Sequence, residues 1–208
     1  MEIVVAVFDV DHTLTVRDCV LPFMRRVAGS AGLARAVFVR PWETFRMVAS
    51  KNRDGLKQKF VNEVFSGKSV ADTEEAGIAF AEMVVHSWIR GDVAARLRWH
   101  QNEGHVVLLV SASLSPYLEP LGDLLEVDAV LCTELETSGD TYTGLLLGSN
   151  CRGAEKVNRI SQWCAESGVP LSAIQFAYGD SSGDTDMIEL AENGTWVNDV
   201  EISSWVAS

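Results

Sequence analysis

Six consecutive apolar positions, Ile3-Val4-Val5-Ala6-Val7-Phe8, with no polar residue alternating among them, form the pattern of a central parallel strand covered on both faces. Residues 105–110 repeat it, and residues 128–133, 174–178 and 195–198 are further strand candidates. Between these runs the apolar positions recur at helical spacing: 93–102 closed by Gly104, 154–167 closed by Gly168, and 185–192 closed by Asn193-Gly194. Strands alternating with helices predict an α/β fold built on a doubly wound, Rossmann-like parallel sheet. Ser138-Gly139-Asp140, between residues 131–135 and 142–147, predicts a hairpin appended to that sheet.

The first two strand runs are separated by about ninety residues, too many for one crossover helix. Residues 17–28, 31–40, 41–50, 54–65 and 70–90 all show helical spacing, with Pro41 suited to a first helical position and Ser69-Val70-Ala71-Asp72 to a capping box. The expected organisation is therefore a core of residues 1–15 and 91–208 carrying an all-helical insertion, residues 16–90.

Composition sharpens this division. The 208 residues are 47% apolar and 22% charged, with 5 Pro and 16 Gly, which excludes a disordered or collagen-like chain. No apolar run approaches the roughly 20 residues of a membrane helix. Met1-Glu2-Ile3 lacks the basic start of a secretory signal, so a cytoplasmic location is expected. Cys19, Cys132, Cys151 and Cys164 show no CxxC spacing and are expected as reduced, buried thiols. The net charge of −12 argues against nucleic acid as a partner. It is also uneven: residues 16–90 carry 12 basic and 8 acidic side chains, the remainder 5 and 21. An electropositive module is thus inserted into an electronegative one, suited to cover an anionic substrate or simply presenting solvated helix faces.

The candidate chemistry sits where strands end. Phe8-Asp9-Val10-Asp11-His12-Thr13 places two carboxylates two residues apart after the first strand, where an open α/β sheet binds ligands. Anions this close ask for Mg²⁺ between them, or for one protonated Asp, or both. The second strand runs into Ser111-Ala112-Ser113, Lys156 lies three residues into the helix opening at Gly153, and the fourth strand ends in Gly179-Asp180-Ser181-Ser182-Gly183-Asp184. In a doubly wound sheet these groups converge. Several carboxylates, a hydroxyl and a lysine are what phosphoryl transfer to an aspartate needs.

The motifs Asp9-x-Asp11-x-Thr13, Ser111, Lys156 and Gly179-Asp180-x-x-x-Asp184, in this order, make the chain resemble the haloacid dehalogenase-like phosphatases, subfamily I with a helical cap, the group that includes phosphoserine phosphatase. The resemblance implies a core of that family and a cap formed by residues 16–90. It implies that Asp9 is the nucleophile and forms an aspartyl-phosphate, and that Asp11 is the general acid and base. It implies that Asp9, the Asp11 carbonyl and Asp180 ligate Mg²⁺, with Asp184 and Thr13 in supporting positions. Ser111, the Ala112 amide and Lys156 would bind the phosphate of a small phosphorylated substrate.

Two further positions bear on what that substrate is. Asp18 and Lys57 fall where phosphoserine phosphatases have a Glu and an Arg that read the amino acid, and Gly183 where they have an Asn. Charge is kept but not geometry, because Lys lacks the bidentate fork of Arg. Arg35, Arg40 and Arg46 among Val37, Phe38, Val39, Trp42 and Phe45 fit either cap core with basic edges or contact with an apolar substrate tail or membrane surface. The expected function is a Mg²⁺-dependent phosphomonoester hydrolase. The alternatives are a lysophospholipid-type substrate, transfer to an acceptor other than water, and a non-catalytic aspartyl-phosphate switch. Gly179-Asp180-Ser181-Ser182-Gly183 also matches the hydrolase elbow GxSxG, but His12, His86, His100 and His105 all precede it, so that triad's downstream base is missing.

Overall fold

The computed structural model describes residues 3–39, 42, 46, 49–50 and 53–198. Its centre is β1 (Val5–Phe8), all four residues buried, as an unbroken apolar run between two helical layers must be. Around it stand β2 (Val106–Leu114), β3 (Ala129–Ser138), β4 (Thr141–Leu147), β5 (Ile174–Gly179) and β6 (Asn193–Trp196). They form one sheet in the order β4-β3-β2-β1-β5-β6, parallel except for the β3–β4 hairpin. From β1 the chain passes to β2 and β3 on one side and returns to β5 and β6 on the other, so the crevice between the two halves opens at the carboxyl end of β1.

Several boundaries differ from the expected ones for physical reasons. The runs 128–133 and 131–135 are one strand, β3, whose first part pairs with β2 in parallel and whose second part pairs with β4. β2 continues past the apolar run to Leu114, and its pairing with β3 slips between Val110 and Leu114, so Ser111, Ala112 and Ser113 sit on an irregular strand end. A helix over Ser115–Leu124 was hidden by Pro116 and Pro120; the first is tolerated in an opening turn, and the second removes the donor for the Pro116 carbonyl.

The insertion is helical: α1 (Val20–Phe38), α2 (Arg53–Phe65) and α3 (Val70–Ser87). α1 is interrupted at Gly29, with φ 72°, where the pattern separates two helices. The helix expected over 41–50 lies largely outside the described residues. The Ser69 hydroxyl caps α3 by accepting from the Asp72 amide. α4 (Gly91–Asn102), α5 (Ser115–Leu124), α6 (Ala154–Ser167) and α7 (Thr185–Leu190) belong to the layers beside the sheet.

α3 packs on α5 so closely that a Cβ on Gly77 would lie 1.8 Å from the Pro116 carbonyl oxygen. The α2 end is propped by the hairpin, where the Gly67 amide donates to Tyr142 O and the Tyr142 amide to Lys68 O. The two ends of this helical segment lie side by side in a narrow neck: Thr15 bridges Ile89, the Val16 amide bonds Trp88 O, and the Arg90 amide bonds Leu14 O. One apolar cluster runs through both parts, including Phe23, Phe65 and Phe80 from the insertion and Leu114, Tyr117 and Tyr142 from the core. All four cysteines are free and buried. No helix among the described residues is long and apolar enough to cross a membrane.

Candidate active site

Asp9 is the first residue after β1, and its amide donates to Tyr178 O on β5 at 2.9 Å, which ties it to the crevice. The chain then makes one wide turn, Val10–Leu14, with Asp11 extended and His12 in the left-handed region at φ 62°. This turn buries Thr13 and points both carboxylates toward the strand ends. Lys156, on the first turn of α6 and buried, reaches Asp9 Oδ1 and Asp184 Oδ1, each at 2.6 Å. Asp9 Oδ2 accepts no hydrogen bond among the described residues.

Asp184 is held from behind. Its Oδ2 accepts from the amides of Asp180 (3.3 Å) and Ser181 (3.0 Å) and from the Ser181 hydroxyl (3.1 Å). Gly179 makes this possible, since a Cβ there would stand 2.6 Å from Asp184 Cβ. Thr13 Oγ1 donates to Asp180 Oδ1 at 3.4 Å. Single carboxylate oxygens of Asp9, Asp180 and Asp184 lie within 4.8 Å of one another. These are hard oxygen donors, and among the described residues one ammonium, that of Lys156, is bonded to them, so the set fits a Mg²⁺ ion in both ligand type and charge.

Electrostatics follow from this crowding. Burial raises the Asp9 pKa, Lys156 opposes the rise, and Asp184 and Asp11 add to it; with two carboxylates sharing one ammonium, the net direction is upward. Burial alone would lower Lys156, but Asp9 and Asp184 outweigh it and keep the ammonium charged. Asp11 is raised by burial and then by the charge of Asp18. Asp180 is raised by burial and by Asp184.

Asp11 is fixed by contacts that its own motif does not announce. Its Oδ1 accepts from the Cys19 amide at 2.8 Å, and its Oδ2 from the Ser113 hydroxyl at 2.6 Å, which in turn accepts from Tyr117 OH at 2.6 Å. Ser113 could have been suspected from its place two residues after Ser111, on the same side of the strand; Tyr117 carried no such sign. Ser111 is buried, with its Oγ accepting from the Ser113 amide at 3.1 Å, and lines the same cavity as Ala112.

That cavity, about 730 Å³, brings together Asp9, Asp11, Ser111, Lys156, Asp180 and Asp184 on the core side. Val20, Leu21, Met24, Leu56 and Phe60 of the insertion line it as well. Both expected substrate-reading residues reach it, in different states. Asp18 is exposed, with Oδ1 accepting from the Leu21 amide at 3.1 Å. Lys57 donates to the Ala112 carbonyl, to Thr133 Oγ1 (3.0 Å) and to Asn150 Oδ1 (2.6 Å), so its three protons are taken by the protein. Burial pulls its pKa down to about 8. Arg152, which no sequence motif singles out, also lines the cavity. Of the segment from Arg35 to Arg46, Arg40 and Phe45 lie outside the described residues, while Phe38 and Trp42 are exposed.

The family model described as haloacid dehalogenase-like hydrolase matches residues 6–189. The protein CicA of Caulobacter vibrioides is 35% identical over 186 residues, covering 89% of this chain and 82% of its own. A phosphoserine phosphatase of Polaromonas is 29% identical over 188 residues, covering 87% and 73%. A crystal structure of a protein of unknown function from Bordetella pertussis superposes with a TM-score of 0.77 at 22% identity, covering 91% of this chain and 87% of that one. The chain belongs to the haloacid dehalogenase-like hydrolases.

Proposed function

We propose that this haloacid dehalogenase-like phosphatase hydrolyses phosphomonoesters of small metabolites in two steps, with Asp9 carrying the phosphoryl group between them and Mg²⁺ as cofactor. One observation carries the reading: a buried carboxylate at the sheet's crevice has one oxygen anchored by Lys156 and the other unbonded beside a cavity. A carboxylate so held is a positioned nucleophile.

In the first step an Asp9 oxygen forms a bond to phosphorus while the ester P–O bond breaks, and the leaving oxygen takes the proton of Asp11. The raised pKa of Asp11, set by burial and Asp18, favours the protonated form this needs. Its bonds to Cys19 N and Ser113 Oγ keep the carboxyl from turning back onto Asp9. In the second step Asp11, now ionised, takes a proton from water, whose oxygen attacks phosphorus and frees Asp9. Ser111, the Ala112 amide and Lys156 take the phosphoryl oxygens. Lys57, by holding the Ala112 carbonyl, fixes the strand end that carries two of these donors.

Asp9, the Asp11 carbonyl and Asp180 would hold Mg²⁺, with Asp184 and Thr13 orienting the loop behind. When bound, the ion offsets the charge of the carboxylates and phosphate and polarises a phosphoryl oxygen. Residues 16–90 act as a cap over the core of residues 1–15 and 91–208, and its apolar wall with Asp18 faces the ester's organic part.

The test is turnover of p-nitrophenyl phosphate with Mg²⁺. EDTA should abolish it and added Mg²⁺ restore it. Full activity after exhaustive chelation, with no metal found by elemental analysis, would sink the metal assignment; no turnover of any phosphomonoester would sink the reading.

A further inference from the structure

Resting on that reading, we infer that Arg152 selects the substrate, and that it does so by binding an anionic group, a carboxylate or a second phosphate, on the ester's organic part. Among the described residues, one arginine and two lysines line the cavity, and both lysines are committed. Lys156 is bonded to Asp9 and Asp184, and Lys57 to Ala112, Thr133 and Asn150. Arg152 is half-buried, yet its guanidinium makes no ion pair or hydrogen bond among the described residues, although the same cavity is lined by Asp9, Asp11, Asp18, Asp180 and Asp184.

It is packed all the same. The side chain lies against Gly183, where a Cβ would come 3.0 Å from the Arg152 Nε and 3.2 Å from its Cγ. The next residue, Gly153 at φ 58°, donates its amide to Gly183 O at 2.9 Å, joining the Arg152 loop to the loop of Asp180 and Asp184. A long side chain packed in this way loses part of its rotamer freedom and hydration, and among the described residues its guanidinium gains no hydrogen-bond partner in return. A planar fork of donors with that history matches an oxyanion that arrives with the ligand.

The phosphoryl group already has its donors in Ser111, the Ala112 amide and Lys156, so the fork is available to a second anion. Val20, Leu21, Met24, Leu56 and Phe60 offer an apolar wall for what lies between the two charges. The substrate class is thus a phosphomonoester whose apolar body carries a further anionic group. Gly183 also takes on a role here: a Cβ there would press on Arg152 Nε, Cγ and Cζ at 3.0–3.4 Å and push the side chain by a few tenths of an ångström.

The experiment compares phenyl phosphate with its 3-carboxy and 4-carboxy derivatives, using wild type, R152Q and R152K. Wild type should favour a carboxylated ester by roughly 10-fold or more in kcat/KM, mainly through KM, as a charge-assisted hydrogen bond provides. R152Q should bring the ratio to about one, and R152K should recover only part of it, because lysine keeps the charge without the fork. A ratio unchanged in R152Q would overturn the inference. So would equal proportional losses on all three esters, since Arg152 would then serve the phosphoryl group. The same ratio is read without turnover by calorimetric binding of the three esters to Asp9→Asn. Absent hydrolysis by wild type therefore counts against the phosphatase reading, and an absent binding ratio counts against Arg152.

Discussion

Two polar networks meet the sheet at neighbouring strands, one at Asp9 after β1 and the other at Tyr178 on β5, and are built on opposite principles. In the first, Lys156 stands between Asp9 and Asp184, so two carboxylates share one ammonium and one carboxylate oxygen faces a cavity. In the second, His100 Nε2 meets Tyr178 OH at 2.9 Å, His100 Nδ1 meets His105 Nδ1 at 2.8 Å, and Arg96 Nε donates to Tyr178 OH at 2.8 Å. That network is walled by aromatic rings: Phe8 stacks on Tyr178 at 4.4 Å, and the Arg96 guanidinium lies 3.9 Å from the centre of the Trp99 ring. His100 is held neutral, its pKa pushed down to about 3 by burial and by the charge of Arg96. The difference teaches where chemistry can reside. Where the hydrogen-bonding groups are spent on one another among aromatic rings, as in the His100 network, buried polarity stabilises. Where two carboxylates share one ammonium beside a cavity, as at Asp9, the surplus is available to a substrate.

The contrast is broken most sharply by Asp9→Asn. It should cost on the order of 10³-fold or more in kcat, about 4 kcal/mol of transition-state free energy. The metal-free protein should melt no lower than wild type by calorimetry, because the change removes one of two competing carboxylates. A marked fall in melting temperature would mean that Asp9 supports the fold.

Acidification should act on the two networks with opposite signs. His100 has a folded-state pKa below its ordinary 6.5, so its contribution is full above about 6.5 and is lost as pH falls toward about 3. Asp9 and Asp11 are raised above the ordinary 3.8, so their contribution is full below that value and is lost as pH rises through the folded-state pKa. Denaturant melts of His100→Gln between pH 3 and 7 should show a shallower loss of stability on the acid side than wild type; an unchanged slope would refute the assignment.

Ser113→Ala tests the support of Asp11. Its hydrogen bond lowers the Asp11 pKa, so its removal should move the Asp11 limb of the kcat/KM profile to higher pH and reduce kcat roughly 10-fold, the worth of one hydrogen bond to a charged group. An unmoved limb would assign the serine to structure alone. The smallest effect on activity is expected from Tyr178→Phe, which removes the hydroxyl shared by His100 and Arg96. It should cost about 1–3 kcal/mol of stability, and the melting temperature should fall by about 2–4 °C for each of these, with kcat kept within about two-fold.

The sheet was legible because a strand buried on both faces leaves an unbroken apolar run, as residues 3–8 do. Asp9, Asp11, Ser111, Lys156, Asp180 and Asp184 could be grouped from the sequence because the topology forces the ends of β1, β2 and β5 together. What stayed hidden depends on long-range geometry. Tyr117 reaches Ser113 from a helix whose prolines masked it, and Asn150 and Arg152 approach the cavity from a loop with no periodic pattern. Lys57 was placed by sequence at the cavity, but the acceptors that occupy it come from β2, β3 and the loop before α6, which local spacing cannot reveal.

The neck at Thr15 and Ile89 has a consequence for how such a molecule can diversify. Because the strand entering residues 16–88 and the strand leaving them are hydrogen-bonded side by side, the sheet sees the insertion as a loop of almost no span. Length and sequence can change beyond the neck without shifting the register of β1 against β2 and β5, and so without moving Asp9. The exceptions are the seat of Gly77 on Pro116, which admits no side chain, the Cys19 amide on Asp11 and the Lys57 ammonium on the Ala112 carbonyl. Variation should therefore accumulate in α1 and in the turns of α2 away from Lys57, while α3 stays coupled to the sheet's flank as the fixed jamb of an otherwise interchangeable door.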